Sequence, residues 1–214
     1  MLEVRCLSVG RLQTNAYLVF DEEFRRGIVI DPGDEAERIM DLISRCDVEV
    51  DAIYLTHGHF DHVLALRDLR RELGCKVYLH KADEGILASA PRDAKYFLGI
   101  EVPPPPKPDG WIADGQLIWI GSHLGKVLHT PGHTRGSVCY VFEEMIFTGD
   151  TLFAGSVGRT DLPGGSLKDL VSSLSKILNF PDEFMIYPGH GPSSTVGVER
   201  KLNAFVRNLM ASGD

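Results

Sequence analysis

Cysteine is scarce in this sequence. Its 214 residues include four, Cys6, Cys46, Cys75 and Cys139, and no two of them form a C-x-x-C pair. This pattern excludes a disulfide framework and the paired cysteines of zinc ribbons or thioredoxin-like proteins. We interpret the four as reduced, mostly buried thiols of a cytoplasmic protein.

Long apolar runs are also missing. No stretch approaches the roughly 18 apolar residues of a membrane span, and Met1–Arg5 does not begin a charged segment followed by an apolar one, as a secretory leader would. We therefore expect a cytoplasmic location and no membrane partner.

An excess of basic residues is absent as well. The chain has 22 Lys and Arg against 30 Asp and Glu, a net charge of −8, and the two signs are intermixed. Nucleic-acid surfaces normally carry a basic stripe, so we expect no nucleic-acid partner. The apolar fraction of 43% is ordinary for a globular protein and predicts an adequate core without disulfides.

Short apolar runs and amphipathic stretches set the expected fold. Strands are predicted at 2–8, 16–20, 27–30, 52–55, 76–79, 116–120, 126–129, 137–142, 145–148 and 184–187. Helices are predicted at 34–46 with Asp34 as N-cap, at 63–73 ending at Gly74, and at 82–88, 166–178 and 196–210. Strands in runs with helices at intervals favour two sheets flanked by helices over a regular parallel βαβ repeat.

The pattern fails between Pro91 and Gly110. Residues 102–108 read Val-Pro-Pro-Pro-Pro-Lys-Pro, which is neither helix nor interior strand because proline lacks the backbone donor. We interpret this segment as a stiff surface connection over a sheet edge, between two halves of the chain. A polyproline ligand for a partner is the alternative.

The most informative motif follows the apolar run 52–55. His57, His59, Asp61 and His62 place four metal-ligand side chains within six residues, just past a predicted strand. Imidazole and carboxylate together suit zinc, iron or manganese. The motif predicts a metal site.

Three more apolar runs end in a glycine turn that presents one ligand. They lead to His133, Asp150 and His190, and the adjacent glycine lets the backbone bend sharply and approach a metal. Together with the first motif they supply seven donors, enough for two metals and too many for one tetrahedral site.

Four other Asp and His residues are weaker candidates for roles at the predicted metal site. Asp31, at the end of the run 28–30, is a candidate to orient a ligand histidine by a hydrogen bond, with a turn-forming Asp as the alternative. His129 is interpreted as a packed strand-end residue, with contacts to a ligand as the alternative. His80 and His123 lack the strand-end context.

The order Thr-His-x-His-x-Asp-His, Pro-Gly-His-Thr, Thr-Gly-Asp and Gly-His resembles the metallo-β-lactamase fold superfamily, and the likeness runs from about Asn15 to Phe205. It implies an α+β fold, an αββα sandwich of two mixed β-sheets flanked by helices, with metals at one rim. The implied ligands are His57, His59 and His133 for one metal, Asp61, His62 and His190 for the other, and Asp150 as the bridge. True β-lactamases of the superfamily usually carry cysteine where this chain has Asp150, which disfavours antibiotic hydrolysis.

Three segments are similar to the short glyoxalase II-like proteins of that superfamily: residues 149–153, 158–165 and 187–195. Full-length glyoxalase II has a further helical domain that helps bind glutathione, whereas 24 residues follow His190 here. We therefore expect one domain over 1–214, without that C-terminal helical domain, and leave the identity of the thiol open.

The resemblance implies a hydrolase of acyl thioesters, S-D-lactoylglutathione or a related 2-hydroxyacyl thioester, acting through a hydroxide shared by two divalent metals. Zinc is the expected metal, with iron or manganese as alternatives. Asp61 and Asp150 are the expected catalytic carboxylates, and Arg159 would bind a substrate carboxylate unless it forms a salt bridge with Asp161. The expected partner is a small-molecule thioester, and the protein is a monomer or homodimer.

The main rival is an oxidoreductase that resembles the persulfide dioxygenases of the same superfamily. It would hold a single Fe(II) through His57, His133 and Asp150, because two histidines and one carboxylate suit non-haem iron oxygen chemistry. A nuclease is disfavoured by the acidic composition.

Overall fold

The first half of the chain forms one six-stranded sheet. The computed structural model describes residues 1–211. The strands, in spatial order, are β1 (Leu2–Val9), β2 (Thr14–Asp21), β3 (Arg26–Ile30), β4 (Glu49–Tyr54), β5 (Lys76–His80) and β6 (Gly110–Ile112). Strands β1 to β3 are antiparallel and β3 to β6 are parallel, so the carboxyl ends of β3, β4 and β5 lie at one edge.

The second half forms a matching sheet. Its strands are β7 (Leu117–Ile120), β8 (His123–His129), β9 (Val138–Phe142), β10 (Met145–Gly149), β13 (Met185–Pro188) and β14 (Ser194–Thr195). The spatial order is β14-β13-β10-β9-β8-β7, with β10 and β13 parallel and the other pairs antiparallel. Between β10 and β13 in the sequence, β11 (Leu152–Phe153) and β12 (Ser156–Val157) form a small hairpin.

Helices cover the outer face of each sheet. They are α1 (Ala36–Cys46), α2 (Leu66–Leu73) and α3 (Glu84–Leu98) on the first sheet, and α4 (Leu167–Leu178), α5 (Val196–Leu202) and α6 (Ala204–Ala211) on the second. Two short 3-10 turns, Phe60–His62 and Lys81–Asp83, follow β4 and β5. The predicted αββα sandwich of two mixed sheets is confirmed.

Side-chain alternation along the strands builds the layers. In β3, Val29 packs toward α1 and α2, whereas Ile28 and Ile30 pack into the core between the sheets. In β9, Tyr140 faces that central core and Cys139 faces the helices on the second sheet. Because both faces are covered, the strands have the continuous apolar sequences that predicted them.

Helix α3 is longer than predicted. The expected helix over 82–88 with irregular chain from Pro91 is wrong, because α3 continues through Pro91 to Leu98. Its buried face, formed by Leu87, Ala90 and Ala94, continues across the proline. Packing of this face offsets the one backbone donor that proline lacks.

Three helix boundaries also differ from the prediction. The helix predicted over 63–73 begins at Leu66, after the 3-10 turn over 60–62. The helix predicted over 196–210 is split at Asn203, which has an extended backbone and whose Oδ1 accepts the N–H groups of Phe205 and Val206 at the start of α6. Asp34 is not the N-cap of α1, since that position is Glu35 and Asp34 Oδ1 accepts only the N–H of its neighbour. At Asn203, the asparagine side chain is a good cap for α6, which explains why the helix predicted over 196–210 is broken there.

The proline-rich segment 102–108 connects α3 to β6, the edge strand of the first sheet. Val102 packs against the helix-side core of that sheet. The chain passes from one sheet to the other between Ile112 and Leu117, directly after this connection, as predicted. Within residues 1–211, no helix combines the length and apolar character needed to cross a membrane.

Candidate metal centre

Strand ends from both sheets meet at one rim of the sandwich. His57 lies just past β4 and Asp31 just past β3, and these two strands are parallel neighbours. Asp150 and His190 lie just past β10 and β13, a parallel pair in the other sheet. In open α/β sheets, ligands bind beyond the carboxyl ends of the strands, and the site follows that rule.

The seven predicted donors come together at this rim. In one cluster, ligand atoms of His57, His59 and His133 all lie within 4.8 Å of one another; Asp61, His62 and His190 form a second cluster by the same measure. These groupings match the two sets that the resemblance implied.

Asp150 lies between the two clusters. Its Oδ1 is 3.4 Å from Nε2 of His62, and its Oδ2 is 3.5 Å from Nε2 of His133 and 3.7 Å from Nε2 of His190. One carboxylate therefore faces histidines of both groups.

Among residues 1–211, three buried polar atoms at the rim have no hydrogen-bond partner of suitable geometry: Nε2 of His57, Nε2 of His62 and Oδ1 of Asp150. The 3.4 Å contact between Nε2 of His62 and Oδ1 of Asp150 is an ion-pair distance and does not satisfy either atom as a hydrogen bond. Buried polar atoms are almost always paired, and an unpaired one calls for an explanation such as an ion. All three belong to the predicted ligand set, and imidazole nitrogen with carboxylate oxygen suits a divalent metal. The residues present fit bound divalent metal ions.

Hydrogen bonds on the far side of the imidazoles fix which nitrogen faces the centre. Nδ1 of His133 donates to the carbonyl oxygen of Arg159 at 2.8 Å, and Nδ1 of His190 donates to that of Leu12 at 3.0 Å. In each ring Nε2 then keeps its lone pair for a metal.

Asp31 makes the corresponding contact to a third imidazole. Its Oδ2 accepts a hydrogen bond from Nδ1 of His62 at 3.0 Å and another from Oγ1 of Thr56 at 2.6 Å, while its Oδ1 accepts the N–H of Thr56 at 2.7 Å. The orienting contact predicted for Asp31 is present. Asp31 also lies close to His57, and the three residues could form a further ligand group. Because both of its oxygens accept hydrogen bonds, this geometry favours an orienting contact to His62 over metal ligation by Asp31.

Burial and neighbouring charges set the protonation of the metal-free cluster. Burial, followed by the adjacent imidazoles of His62 and His59, lowers the pKa of His57 well below its ordinary value, so His57 is neutral. Burial also disfavours a charged His62, but the surrounding carboxylates, Asp150 foremost, raise the pKa of His62 well above its ordinary value. Burial raises the pKa of Asp150, yet His62 outweighs it and holds that pKa well below the usual range. Metal binding at His62 must therefore displace a proton.

A family model described as the metallo-β-lactamase superfamily matches residues 9–190. The chain belongs to the metallo-β-lactamase superfamily. Its relatives include a probable metallo-hydrolase, YqgX of Bacillus subtilis, which is 37% identical to this chain. A superfamily fold with His and Asp clusters of this kind indicates divalent metal ions.

Individual relatives agree with this assignment. The chain is 34% identical to "Hydroxyacylglutathione hydrolase GloC" of Haemophilus influenzae over 212 residues, covering 97% of this chain and 99% of that protein. A crystal structure of TTHA1623 in a di-iron-bound form is similar at 41% identity and a TM-score of 0.87, covering 94% and 99% of the two chains. The B3 metallo-β-lactamase BLEG-1 is similar at 35% identity and a TM-score of 0.89, covering 95% and 99%.

Glycines beside the donors make room for them, as predicted. A Cβ added at Gly189 would overlap Oδ1 of Asp150 and lie 2.8 Å from Cε1 of His62. Gly149 has a left-handed φ of 48°, and a Cβ there would overlap Oγ1 of Thr56. The close approach of these turns thus depends on the missing side chains.

One buried residue that holds the site together was missed by the sequence analysis. Asp83, which is fully buried, accepts the N–H of Gly58 at 3.0 Å, the hydroxyl of Thr134 at 2.7 Å and the N–H of Gly136 at 2.7 Å. It therefore joins the turn carrying His57 and His59 to the turn carrying His133. Its position just past β5, at the same edge of the sheet, was the signal that could have revealed it.

Two tyrosines tie the rim to the core between the sheets. Tyr140, on β9 of the second sheet, donates a hydrogen bond of 2.6 Å to the carbonyl of Leu55 in the first sheet. Tyr17, on β2 of the first sheet, donates one of 2.6 Å to the carbonyl of Pro188 in the second. Each acceptor lies two residues before a histidine of the site, and both hydroxyls are therefore paired although buried.

The remaining candidates lie at or beyond the edge of the site. Arg159 lines the cavity that opens onto the clusters, and its guanidinium pairs with Asp161 through two contacts of 2.7 Å. His129 stacks on His80 with ring centroids 4.3 Å apart, and its Nε2 contacts the carbonyl oxygen of Arg135 at 3.0 Å, as expected for a packed strand-end residue.

Proposed function

We propose that this chain is a metal-dependent hydrolase of small-molecule acyl thioesters, similar to glyoxalase II, acting on S-D-lactoylglutathione or a related 2-hydroxyacyl thioester. The observation that carries the proposal is the position of Asp150 between two three-residue clusters, with three unpaired buried donor atoms facing the same space. The relative named hydroxyacylglutathione hydrolase GloC, matched over nearly its whole length, supports the choice of substrate class.

The proposed ligands follow the two clusters. His57, His59 and His133 would hold one metal and Asp61, His62 and His190 the other. Asp150, which faces histidines of both clusters, would supply a carboxylate to the site. Zinc is the metal first expected for imidazole and carboxylate donors, and the di-iron form of TTHA1623 makes iron the alternative to test. Bound in this way, the metals supply a water activated near neutral pH and positive charge for the carbonyl oxygen of the substrate.

The groups of the protein then have separate tasks. The carboxylate of Asp31 and the backbone carbonyl oxygens of Arg159 and Leu12 accept hydrogen bonds from Nδ1 of His62, His133 and His190, which fixes Nε2 of each ring. The carboxylates of Asp61 and Asp150 line the cavity and orient the attacking water. An oxygen–carbon bond forms at the carbonyl, the carbon–sulfur bond breaks, and the thiolate leaves and takes up a proton. A thiolate is a good leaving group, so no strong acid beside sulfur is required.

Arg159 is the proposed contact for a substrate carboxylate. Its guanidinium lies at the cavity but pairs with Asp161, so a substrate carboxylate would have to replace Asp161. Both groups are more than half exposed, and an ion pair of this kind contributes only about 0–1 kcal/mol, which makes the exchange feasible.

Oxygen chemistry at a single Fe(II), held by His57, His133 and Asp150, is the second candidate. The di-iron-bound neighbour favours iron, whereas the compact second cluster argues for two metals rather than one. Hydrolysis of β-lactams is a further activity to test, because BLEG-1 is named a B3 metallo-β-lactamase.

The deciding experiment measures free thiol released from S-D-lactoylglutathione by the purified protein, with metal content determined on the same sample. A chromogenic cephalosporin and a glutathione persulfide serve as the alternative substrates. Thiol release with about two metals per chain supports the proposal. Oxygen uptake with the persulfide and one iron per chain, or cephalosporin cleavage without thiol release, would replace it.

A further inference from the structure

A cavity of about 470 Å³ opens directly onto the metal-ligand rim. His59, Asp61, His133 and Asp150 contribute to its wall. Its volume lies in the range of about 300–1,000 Å³ that is usual for small-molecule sites. A substrate whose reacting carbonyl lies against the two clusters therefore extends into this space.

The wall facing the clusters is largely apolar, and most of it comes from α3 and the residues that flank it. Its apolar side chains include Leu12, Ile86, Tyr96, Phe97, Leu98 and Leu162. Because α3 continues through Pro91, it carries Tyr96 and Phe97, which line the cavity, beyond the proline. This wall is therefore a consequence of the part of α3 that the sequence did not predict.

Two aromatic side chains of this wall are exposed to solvent and pack against neighbouring aromatic rings. Tyr96 is 80% exposed and Phe97 is 50% exposed. The ring of Phe97 stacks on that of Phe60, with centroids 5.8 Å apart and planes inclined by 8°, and Tyr96 meets Phe97 edge-on at 4.9 Å. Clustered exposed apolar side chains mark interaction sites, and this cluster borders the proposed reaction centre.

Both arginines that line the cavity have carboxylate partners within the described residues. Nε of Arg92 is 2.9 Å from Oδ1 of Asp93, whose Oδ2 also accepts the hydroxyl of Ser89 at 2.5 Å. Arg159 is paired with Asp161. A charged substrate arm that binds either guanidinium replaces one of these exposed ion pairs and therefore gains little net stabilisation. An apolar arm gains contact with the α3 wall and leaves both ion pairs intact.

We infer that the cavity selects thioesters bearing an apolar group, which lies against Tyr96 and Phe97 while the thioester carbonyl faces the metal clusters. The inference rests on the proposed thioester hydrolysis and names the substrate feature that the site selects. The apolar group belongs either to the acyl part or to the thiol part, and the experiment separates these two sources.

The test compares matched substrates of the metal-loaded protein. S-D-mandeloylglutathione differs from S-D-lactoylglutathione by a phenyl in place of a methyl in the acyl part. The S-D-lactoyl thioester of benzyl mercaptan keeps the acyl part and makes the thiol part apolar. We expect at least one of the two to show a kcat/KM about tenfold or more above that of S-D-lactoylglutathione, the gain expected from burying part of an aromatic ring.

Variants of the α3 wall test whether Tyr96 and Phe97 cause the preference for a thioester with an apolar group. Tyr96→Ala, at a position exposed enough to leave the fold intact, and Phe97→Ala should each reduce the preference for the apolar substrate about threefold or more. Phe24→Ala is the matched control, because Phe24 is 55% exposed and is not among the residues that line this cavity. The preference ratio of the control should equal that of the unmodified protein.

Binding gives a readout independent of turnover. If S-D-mandeloylglutathione is the preferred substrate, titration calorimetry with the unreactive thioethers S-benzylglutathione and S-methylglutathione should show tighter binding of the benzyl compound, reduced by Tyr96→Ala. Equal binding of the two compounds would contradict an apolar site for the acyl part. Hydrolysis of S-D-lactoylglutathione with no gain from either apolar substitution would overturn the inference and leave the proposed function standing. Absence of hydrolysis of all three thioesters by fully metal-loaded protein would overturn both.

Discussion

Asp83 accepts a hydrogen bond of 2.7 Å from the hydroxyl of Thr134, which follows His133 of the first cluster. The same carboxylate oxygen accepts the N–H of Gly58, which lies between His57 and His59. The buried carboxylate of Asp83 thus joins the turn that carries His57 and His59 to the turn that carries His133, although these turns are distant in the sequence.

We predict that Asp83→Asn weakens metal binding about 10- to 100-fold, the usual cost of losing a group that orients metal ligands. An amide has nearly the same shape as a carboxylate, but its NH2 would face one of three donors, from Gly58, Thr134 and Gly136. Competition with a chromogenic chelator measures the affinity. Asp68→Asn, on the exposed side of α2, is the control, and equal affinities in the two variants would contradict the role of Asp83.

Gly189→Ala should disrupt the centre without removing any ligand. The added methyl would overlap Oδ1 of Asp150 and press on the ring of His62, displacing both. Displacements of about 1 Å at a reaction centre cost on the order of 100-fold in rate, so we expect thioester turnover to fall by about that factor. The measurement is kcat on a sample of known metal content.

The matched control for this change is Gly85→Ala, near the start of α3. A Cβ there meets nothing within 4 Å. Alanine is a better helix former than glycine by about 1 kcal/mol, so unfolding of the control should be unchanged or slightly harder. Full activity of Gly189→Ala would contradict the prediction that a Cβ at this position displaces Asp150 and His62.

Direct removal of donors tests the two-metal arrangement. His59→Ala and Asp150→Ala should each lower thioester hydrolysis by at least about 100-fold, since groups that stabilise the reacting charge are lost. Metal analysis should show a reduced metal content in both. His80→Ala is the control because His80 stacks on His129 outside the clusters; near-normal turnover of either ligand variant would refute the assignment.

Most of the strands, and the seven His and Asp side chains that converge at the rim, were predictable from the sequence because each signal is local. The short strands β6, β11, β12 and β14 were not predicted. A buried strand such as β4 is a continuous apolar run, and His57 follows it directly. The predicted strand ends then converge because β3 and β4, and likewise β10 and β13, are parallel neighbours. These features need no knowledge of distant contacts.

What the sequence did not predict depends on tertiary packing. The continuation of α3 through Pro91 is stabilised by Ala94 and its neighbours against the first sheet, and packing of this kind overrides local propensity. Asp83 has no ligand motif around it, and its three donors come from two separate turns. The break at Asn203 depends on its side chain capping α6 and reaching Glu199.

Acid stability should depend on Asp21. The N–H of Ser122, at 2.9 Å, and its hydroxyl, at 2.8 Å, donate to Oδ2 of Asp21, and these bonds hold the pKa of this buried carboxyl well below its usual range despite burial. A depressed folded pKa contributes stability above the unfolded value of about 3.9, and this contribution is lost as the pH falls toward the folded value.

Asp21→Asn should therefore lose less stability than the unmodified protein between pH 5 and about pH 2. Urea denaturation at several pH values gives the free energy of unfolding for each. The exposed Asp68→Asn again serves as control and should keep the steeper acid dependence. If the free energy of unfolding fell with pH as steeply for Asp21→Asn as for the unmodified protein, Asp21 would be ruled out as the cause of the acid dependence.

Tyr140 and Tyr17 form two hydrogen bonds that cross between the sheets next to the metal-ligand rim. Each tyrosine belongs to one sheet and holds a backbone carbonyl of the other, two residues before His57 or His190. These bonds restrain the backbone on both sides of the rim. We therefore expect the rate of metal release to depend on separation of the two sheets more than on movement of the surface turns.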